Sequence, residues 1–276
     1  MTPRRARDPA GWHRRGGLPA RILAAGAALS ALIPVLGVAL GALLLAVAAR
    51  ADPNALWRIV HEDCVPKAEA GGGTGACAAI DLQAGWALLK DNAPSKKQQF
   101  LLIPTARVSG IEDPAVLAPG APDWFGAAWA ERGWVARRLG RDLDRSWTIL
   151  AINAPGARTQ AQLHIHIGCV RAEVRAGLAA WAAMPPERWS ATDFVDRGHR
   201  YRVMRILGRD PGRPTPFQRL AELPAARADR GAYSLAVLGA RFGAAPGFFL
   251  LAASPAPGPR IGAEALMAPD CEVLPG

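Results

Sequence analysis

Apolar and polar residues alternate with period two through Gln162-Leu-His-Ile-His-Ile-Gly-Cys-Val170. That spacing predicts a β-strand with Leu163, Ile165 and Ile167 on one face and Gln162, His164 and His166 on the other. Further stretches read as strands, of which Tyr201–Leu207 also alternates. Ile80–Lys90 reads as a strand or a strand pair with a turn near Ala84-Gly85, and Gln98–Ile103 as a strand stopped by Pro104. Ser146–Ile152, Tyr201–Leu207, Ser234–Leu238 and Gly247–Ala253 complete the set. Helical spacing appears in four places. Asn54–Asp63 places Leu56, Ile59 and Val60 on one side behind an Asn54 cap. Asp123–Leu139 buries Trp124, Ala128, Val135 and Leu139 behind an Asp123 cap. Ala172–Ala183 runs to the Met184-Pro-Pro186 break, and Thr215 opens Pro216–Leu223. The expected fold class is α+β, an antiparallel sheet with packed helices.

One stretch has no period at all. Residues 22–49 contain no charged side chain and are rich in Leu, Ala, Val and Gly. About 20 apolar residues span a bilayer, so the expectation is one transmembrane helix preceding the sheet, with a cleaved signal ending near Ala-Arg-Ala51 as the alternative. Residues 1–21 carry six arginines against Asp8 alone. The positive-inside rule keeps that tail cytoplasmic and sends everything from Asp52 to the far side. In a bacterium this means a single-pass inner-membrane protein with a periplasmic catalytic region. The tail holds half of the formal net charge of +10, so the basic balance argues for membrane topology and not for nucleic acid.

Four cysteines, Cys64, Cys77, Cys169 and Cys271, suit an exported domain with two disulfides. Three pairings exist. Cys64 and Cys77 flank the loop Gly71-Gly-Gly-Thr-Gly75 and are the natural local pair, which leaves Cys169 beside the histidine strand for Cys271. Zinc is the rival use, but no Cys-x-x-Cys spacing is present. No carboxylate cluster suited to a metal is visible, so neither metal nor cofactor is expected.

The chemistry centres on His164 and His166, two of only five histidines. Imidazole is a nucleophile and an acid-base near neutral pH. The sequence around this pair resembles the histidine triad (HIT) superfamily of nucleotide hydrolases and transferases, and within it the bacterial CDP-diacylglycerol pyrophosphatases, a membrane-anchored family. The residues that carry the likeness are Leu56-Trp-Arg-Ile-Val, Cys64-Val-Pro, Trp86-Ala-Leu-Leu-Lys-Asp91, Phe100-Leu-Leu-Ile-Pro-Thr-Ala-Arg107, Ala151-Ile-Asn153 and Thr159-Gln-x-Gln-Leu-His-Ile-His166, with Cys169 directly after.

The resemblance implies a catalytic group made of His164 as nucleophile, His166 as donor, and Gln162 where the family pattern has its first histidine. Asn153, Gln160, Lys90, Asp91 and Arg107 match positions implied to bind substrate. The implied reaction is hydrolysis of CDP-diacylglycerol to CMP and phosphatidate through a nucleotidyl-histidine, with the lipid bilayer as partner and a homodimer as the assembly. Two alternatives stand beside it: a non-catalytic exported nucleotide-binding module, and a general nucleotidyl hydrolase or transferase on soluble nucleotides. The expected organisation is a basic tail at 1–21, a span at 22–49, a HIT-like catalytic region at 52–183, and an α+β region at 184–276. The last echoes the first half as a degenerate second HIT-like unit.

Overall fold

Strand pairing dominates the molecule. The computed structural model describes residues 52–253 and 262–271. It places nine strands in one sheet: β1 (Ala79–Asp81), β2 (Trp86–Lys90), β3 (Phe100–Pro104), β4 (Thr148–Ile152), β5 (Ile165–Cys169), β6 (Trp189–Asp196), β7 (His199–Leu207), β8 (Leu235–Phe242) and β9 (Ala245–Ala253). Their order across the sheet is β1-β2-β3-β5-β4-β8-β9-β7-β6. Every neighbouring pair is antiparallel.

The α+β expectation with packed helices is therefore corrected to a mostly antiparallel β-fold with few and short helices. The α-helical runs are α1 (Ala55–Arg58), α2 (Val65–Glu69), α3 (Trp124–Ala130), α4 (Gly133–Leu139), α5 (Ala172–Gly177), α6 (Pro216–Leu220) and α7 (Pro224–Ala228). A π-helical stretch, Ile59–Cys64, joins α1 to α2. The single helix expected over 123–139 is instead two, separated at Glu131-Arg132, where the Arg132 side chain donates to the Trp129 carbonyl at 2.6 Å. Strand β6 is an addition to the expected set, in a stretch with neither a clean alternation nor an apolar run.

The transmembrane helix expected to precede the sheet is corrected with the fold class. Residues 1–21 and 22–49 lie outside the described residues, and among those described no helix is long and apolar enough to cross a membrane. The expected single-pass inner-membrane placement is corrected with it, since no described helix could form the span. The strands of the 184–276 stretch do not form a sheet of their own. They extend the first sheet through β8, whose Val237 lies opposite Leu150 of β4.

Both faces of the sheet are covered. On one, Leu102, Leu150, Ile165, Ile167, Val237 and Leu250 pack with α3, α4 and α6 in a single apolar cluster. On the other, the covering is split in two. Leu89, Leu101 and Ile103 lie under Leu56 and Val60 at one end. Ile149, Ala151, Ala236, Val203 and Leu251 lie under Val174, Leu178 and Leu266 at the other. The cross-strand row on this second face runs Leu89, Leu101, His166, Ala151, Ala236, Leu251, Val203. His166 is the polar member of that row and stands where the two apolar clusters meet.

Two disulfides pin the cover. Cys64–Cys77 ties the end of the π-helical stretch to the residues leading into β1. Cys169–Cys271 ties the end of β5 to the C-terminal segment. Gly75, at φ +60°, lets the first loop pass Asp63, where a Cβ would come within 2.5 Å of a carboxylate oxygen.

Candidate active site

His164 and His166 lie at the start of β5 with both side chains buried. Their rings are 5.0 Å apart, centre to centre, and meet edge to face. Both line a cavity of about 440 Å³ on the second face of the sheet. The Nδ1 of His164 is 2.7 Å from the backbone carbonyl of Gln162. A carbonyl only accepts, so Nδ1 carries the proton and Nε2 keeps its lone pair. Burial pushes the His164 pKa down, which keeps the ring neutral at neutral pH. His166 is pushed down much further, by burial first and then by His164 and Lys96. The pair is thus two neutral imidazoles, one of them with an oriented, unprotonated nitrogen.

The other residues singled out in the sequence divide into three groups. Gln162 is fully buried, but its side chain does not reach the histidines. Its amide donates to the carbonyls of Pro104 and Ala106 at 3.1 and 2.8 Å and accepts from Val108 N–H at 3.3 Å. It holds the chain beyond β3, and it meets His164 through its backbone. Gln160 behaves similarly: it donates to the Asp52 carbonyl at 3.0 Å and accepts from Leu56 N–H at 3.1 Å, fixing the entry to α1 at the cavity rim. Arg107 is placed apart from the cavity. It donates to Asn54 and lies 5.2 Å over the Trp57 ring, which stacks on His61.

Asn153, Lys90 and Asp91 do line the cavity. Lys90 donates to the carbonyls of Asp91 and Lys96 and so closes the turn after β2. Asp91 and His166 approach to 3.8 Å. Asn153 donates to Glu264 at 2.9 Å and accepts from the Glu264 N–H at 3.3 Å.

Three residues of the cavity were not singled out in the sequence. Glu264, on a short 3₁₀ turn (Ala263–Leu266), brings a carboxylate oxygen 3.2 Å from His166 Nε2. Lys96 contacts Glu264 and also Asp91, the latter at 3.3 Å. Arg158 is held two-pronged by Glu112 and donates to the carbonyls of Ser109, Asn153 and Gln160. Glu264 has no periodicity around it; its one sequence signal is Cys271, whose bond to Cys169 draws the C-terminal segment onto β5. Asp91, His166 and Glu264 offer ligand atoms within 4.8 Å of one another, a grouping of the kind that holds a cation. The sequence shows no such cluster because its members lie far apart along the chain. The Lys96 ammonium already contacts both of its carboxylates.

Comparison with known proteins places most of the chain in a family. The family described as CDP-diacylglycerol pyrophosphatase matches residues 51–275. A CDP-diacylglycerol pyrophosphatase of Yersinia pestis is 39% identical over 228 residues, covering 81% of this chain and 86% of that protein. The chain therefore belongs to the CDP-diacylglycerol pyrophosphatase family and is a hydrolase.

Proposed function

We propose that this enzyme hydrolyses CDP-diacylglycerol by nucleophilic attack from His164. The observation that carries the assignment is the hydrogen bond from His164 Nδ1 to the Gln162 carbonyl, which leaves Nε2 with its lone pair in the cavity wall. In the first step Nε2 bonds to the phosphorus bearing the cytidine, and the phosphorus–oxygen bond to phosphatidate breaks. The electron pair leaves with phosphatidate. The ring now carries Nδ1–H and a phosphorus on Nε2, so it is cationic, and the Gln162 carbonyl faces that charge. In the second step water bonds to phosphorus and the phosphorus–nitrogen bond breaks. The pair returns to Nε2, CMP departs, and one proton goes to solvent. Splitting one displacement into two in this way is ordinary nucleophilic catalysis.

His166, neutral and buried, supplies an N–H to the non-bridging oxygens as charge builds on them. Asn153 and Asp91 help to hold the nucleotide end, and Gln162 and Gln160 act as positioning residues through the backbone they fix. The diacylglycerol part of the substrate stays in a lipid surface, so the protein works against a bilayer. The test uses CDP-diacylglycerol labelled at the cytidine-bearing phosphate, with early acid-free quenching. Labelled wild-type protein with CMP and phosphatidate as products is expected. His164→Ala should carry no label and lose about 1,000-fold or more in rate. Turnover persisting in His164→Ala would remove His164 as the nucleophile.

A further inference from the structure

We propose that Lys96 grips the substrate's pyrophosphate in this cavity, and that Glu264, carried in by the C-terminal segment, is its positioning partner. The inference rests on the hydrolase reading above and deepens it by naming the phosphate-binding group.

Three cationic side chains line the cavity: Lys90, Lys96 and Arg158. Arg158 is committed to Glu112 and three backbone carbonyls, and its side chain is only 8% exposed. Lys90 is committed to the carbonyls of its own turn. Lys96 differs in kind, because its ammonium pairs with two carboxylates from other parts of the chain, Asp91 and Glu264. An ammonium has three N–H donors, so one remains for a ligand while two carboxylates hold the group in place. The backbone at Lys96 is fixed too: its N–H donates to the Ala93 carbonyl at 2.9 Å, and its carbonyl accepts from Gln99 N–H and from Lys90.

The carboxylates make little sense without this cation. A pyrophosphate entering a cavity walled by Asp91 and Glu264 would be repelled unless a positive group stood between. Lys96 stands there, and Glu264 also lies 3.2 Å from His166 Nε2. The segment that delivers Glu264 is built into the fold. Ala268 N–H donates to the Cys169 carbonyl at 2.8 Å and Arg171 N–H to the Leu266 carbonyl at 3.0 Å. The Arg171 side chain donates to Ala265. Gly262 passes so close to Asn153 that a Cβ would come within 2.4 Å of its Oδ1.

Three measurements on the full chain test this. The first is CDP binding by calorimetry in a His164→Ala background, with and without Lys96→Gln. The expected result is an affinity at least tenfold weaker, with Lys96→Arg, which keeps the charge, within about threefold of the parent. Circular dichroism melting verifies that each variant is folded. The second is CDP-diacylglycerol turnover in Lys96→Gln, where KM should rise along with a fall in kcat. The third is the alkaline limb of the pH–rate profile in Glu264→Gln. The ionisable groups around Lys96 are Asp91 and Lys90 at the end of β2, His164 and His166 at the start of β5, Arg158 and Glu264. Burial opposes the Lys96 charge, but Glu264 and Asp91 outweigh it and hold its pKa above the usual value. Glu264→Gln should therefore move the alkaline limb to lower pH, a change that a purely structural role would not produce. Unchanged CDP affinity in folded Lys96→Gln, or an unmoved alkaline limb in Glu264→Gln, would overturn the inference. An active His164→Ala would instead overturn the nucleophile.

Discussion

Residues of the site earn different roles from very similar chemistry. His164 and His166 differ by two positions, yet only His164 has a ring nitrogen bonded to a main-chain carbonyl. That one contact settles its tautomer. Burial lowers the pKa of both rings, so the acid limb of kcat/KM should lie below pH ~6.5, the ordinary imidazole value. A limb centred at or above that value would contradict a buried neutral nucleophile. The same shifts bear on stability. A depressed folded pKa means that the unfolded chain binds more protons once the pH falls below ~6.5. Stability should decline from there downward, seen as a lower urea midpoint at pH 5.5 than at pH 7.5. A midpoint unchanged across that range would count against both histidines being neutral in the fold. Gln162 is a separate case. Gln162→Leu strands two carbonyls and one N–H, at a cost of ~1–3 kcal/mol for each buried group left unpaired. A melting temperature equal to wild type would show that the amide is not structural.

At the scale of elements, the C-terminal segment matters more than its length suggests. Its described residues, 262–271, form no regular strand, yet they supply a carboxylate to the cavity and an antiparallel bridge from Met267 to Val170. Its disulfide joins positions 102 residues apart, so reduction frees a long loop in the unfolded chain. Cys271→Ser should lose ~2–5 kcal/mol of stability and lower activity at the same time by loosening Glu264. Loss of stability with full activity would separate the latch from the site. Gly262→Ala tests the same element without touching the disulfide. Its new methyl must displace Asn153 or the segment, at ~1–3 kcal/mol, and turnover should fall with it.

For the whole molecule, the continuous sheet is the main fact. The first apolar cluster takes Leu102 from β3, Leu150 from β4, Val237 from β8 and Leu250 from β9. No cleavage plane separates the strands before residue 184 from those after it. Residues 51–276 should therefore unfold in one cooperative step. Tryptophan fluorescence and far-ultraviolet circular dichroism should give superimposable urea curves, and two separated transitions would contradict a shared core. The sheet also ends differently at its two sides: β1 has three residues, whereas β6 has eight and exposes Val195.

Much of this architecture was legible along the chain, because alternation and short apolar runs bounded by turn residues both mark strands. Eight of the nine strands lie in stretches so marked; β6 has neither an apolar run nor a clean alternation. Alternation does not report what covers a face, and the two-histidine face turned out to be enclosed between two apolar clusters. Helix length is a similar case: spacing shows an apolar stripe across 123–139, but the break at Glu131-Arg132 is local geometry. The histidine pair, the cysteine count and the likeness around them were properties of the sequence by itself. That Gln162 serves the fold through three backbone contacts, that Arg107 lies apart from the cavity, and that Lys96 and Glu264 meet over His166 was decided by tertiary structure alone. Those contacts join residues up to 168 positions apart, as between Lys96 and Glu264. Contacts that distant leave no period in the sequence, because they arise only when the sheet brings its strands together and the disulfide draws the last segment over them.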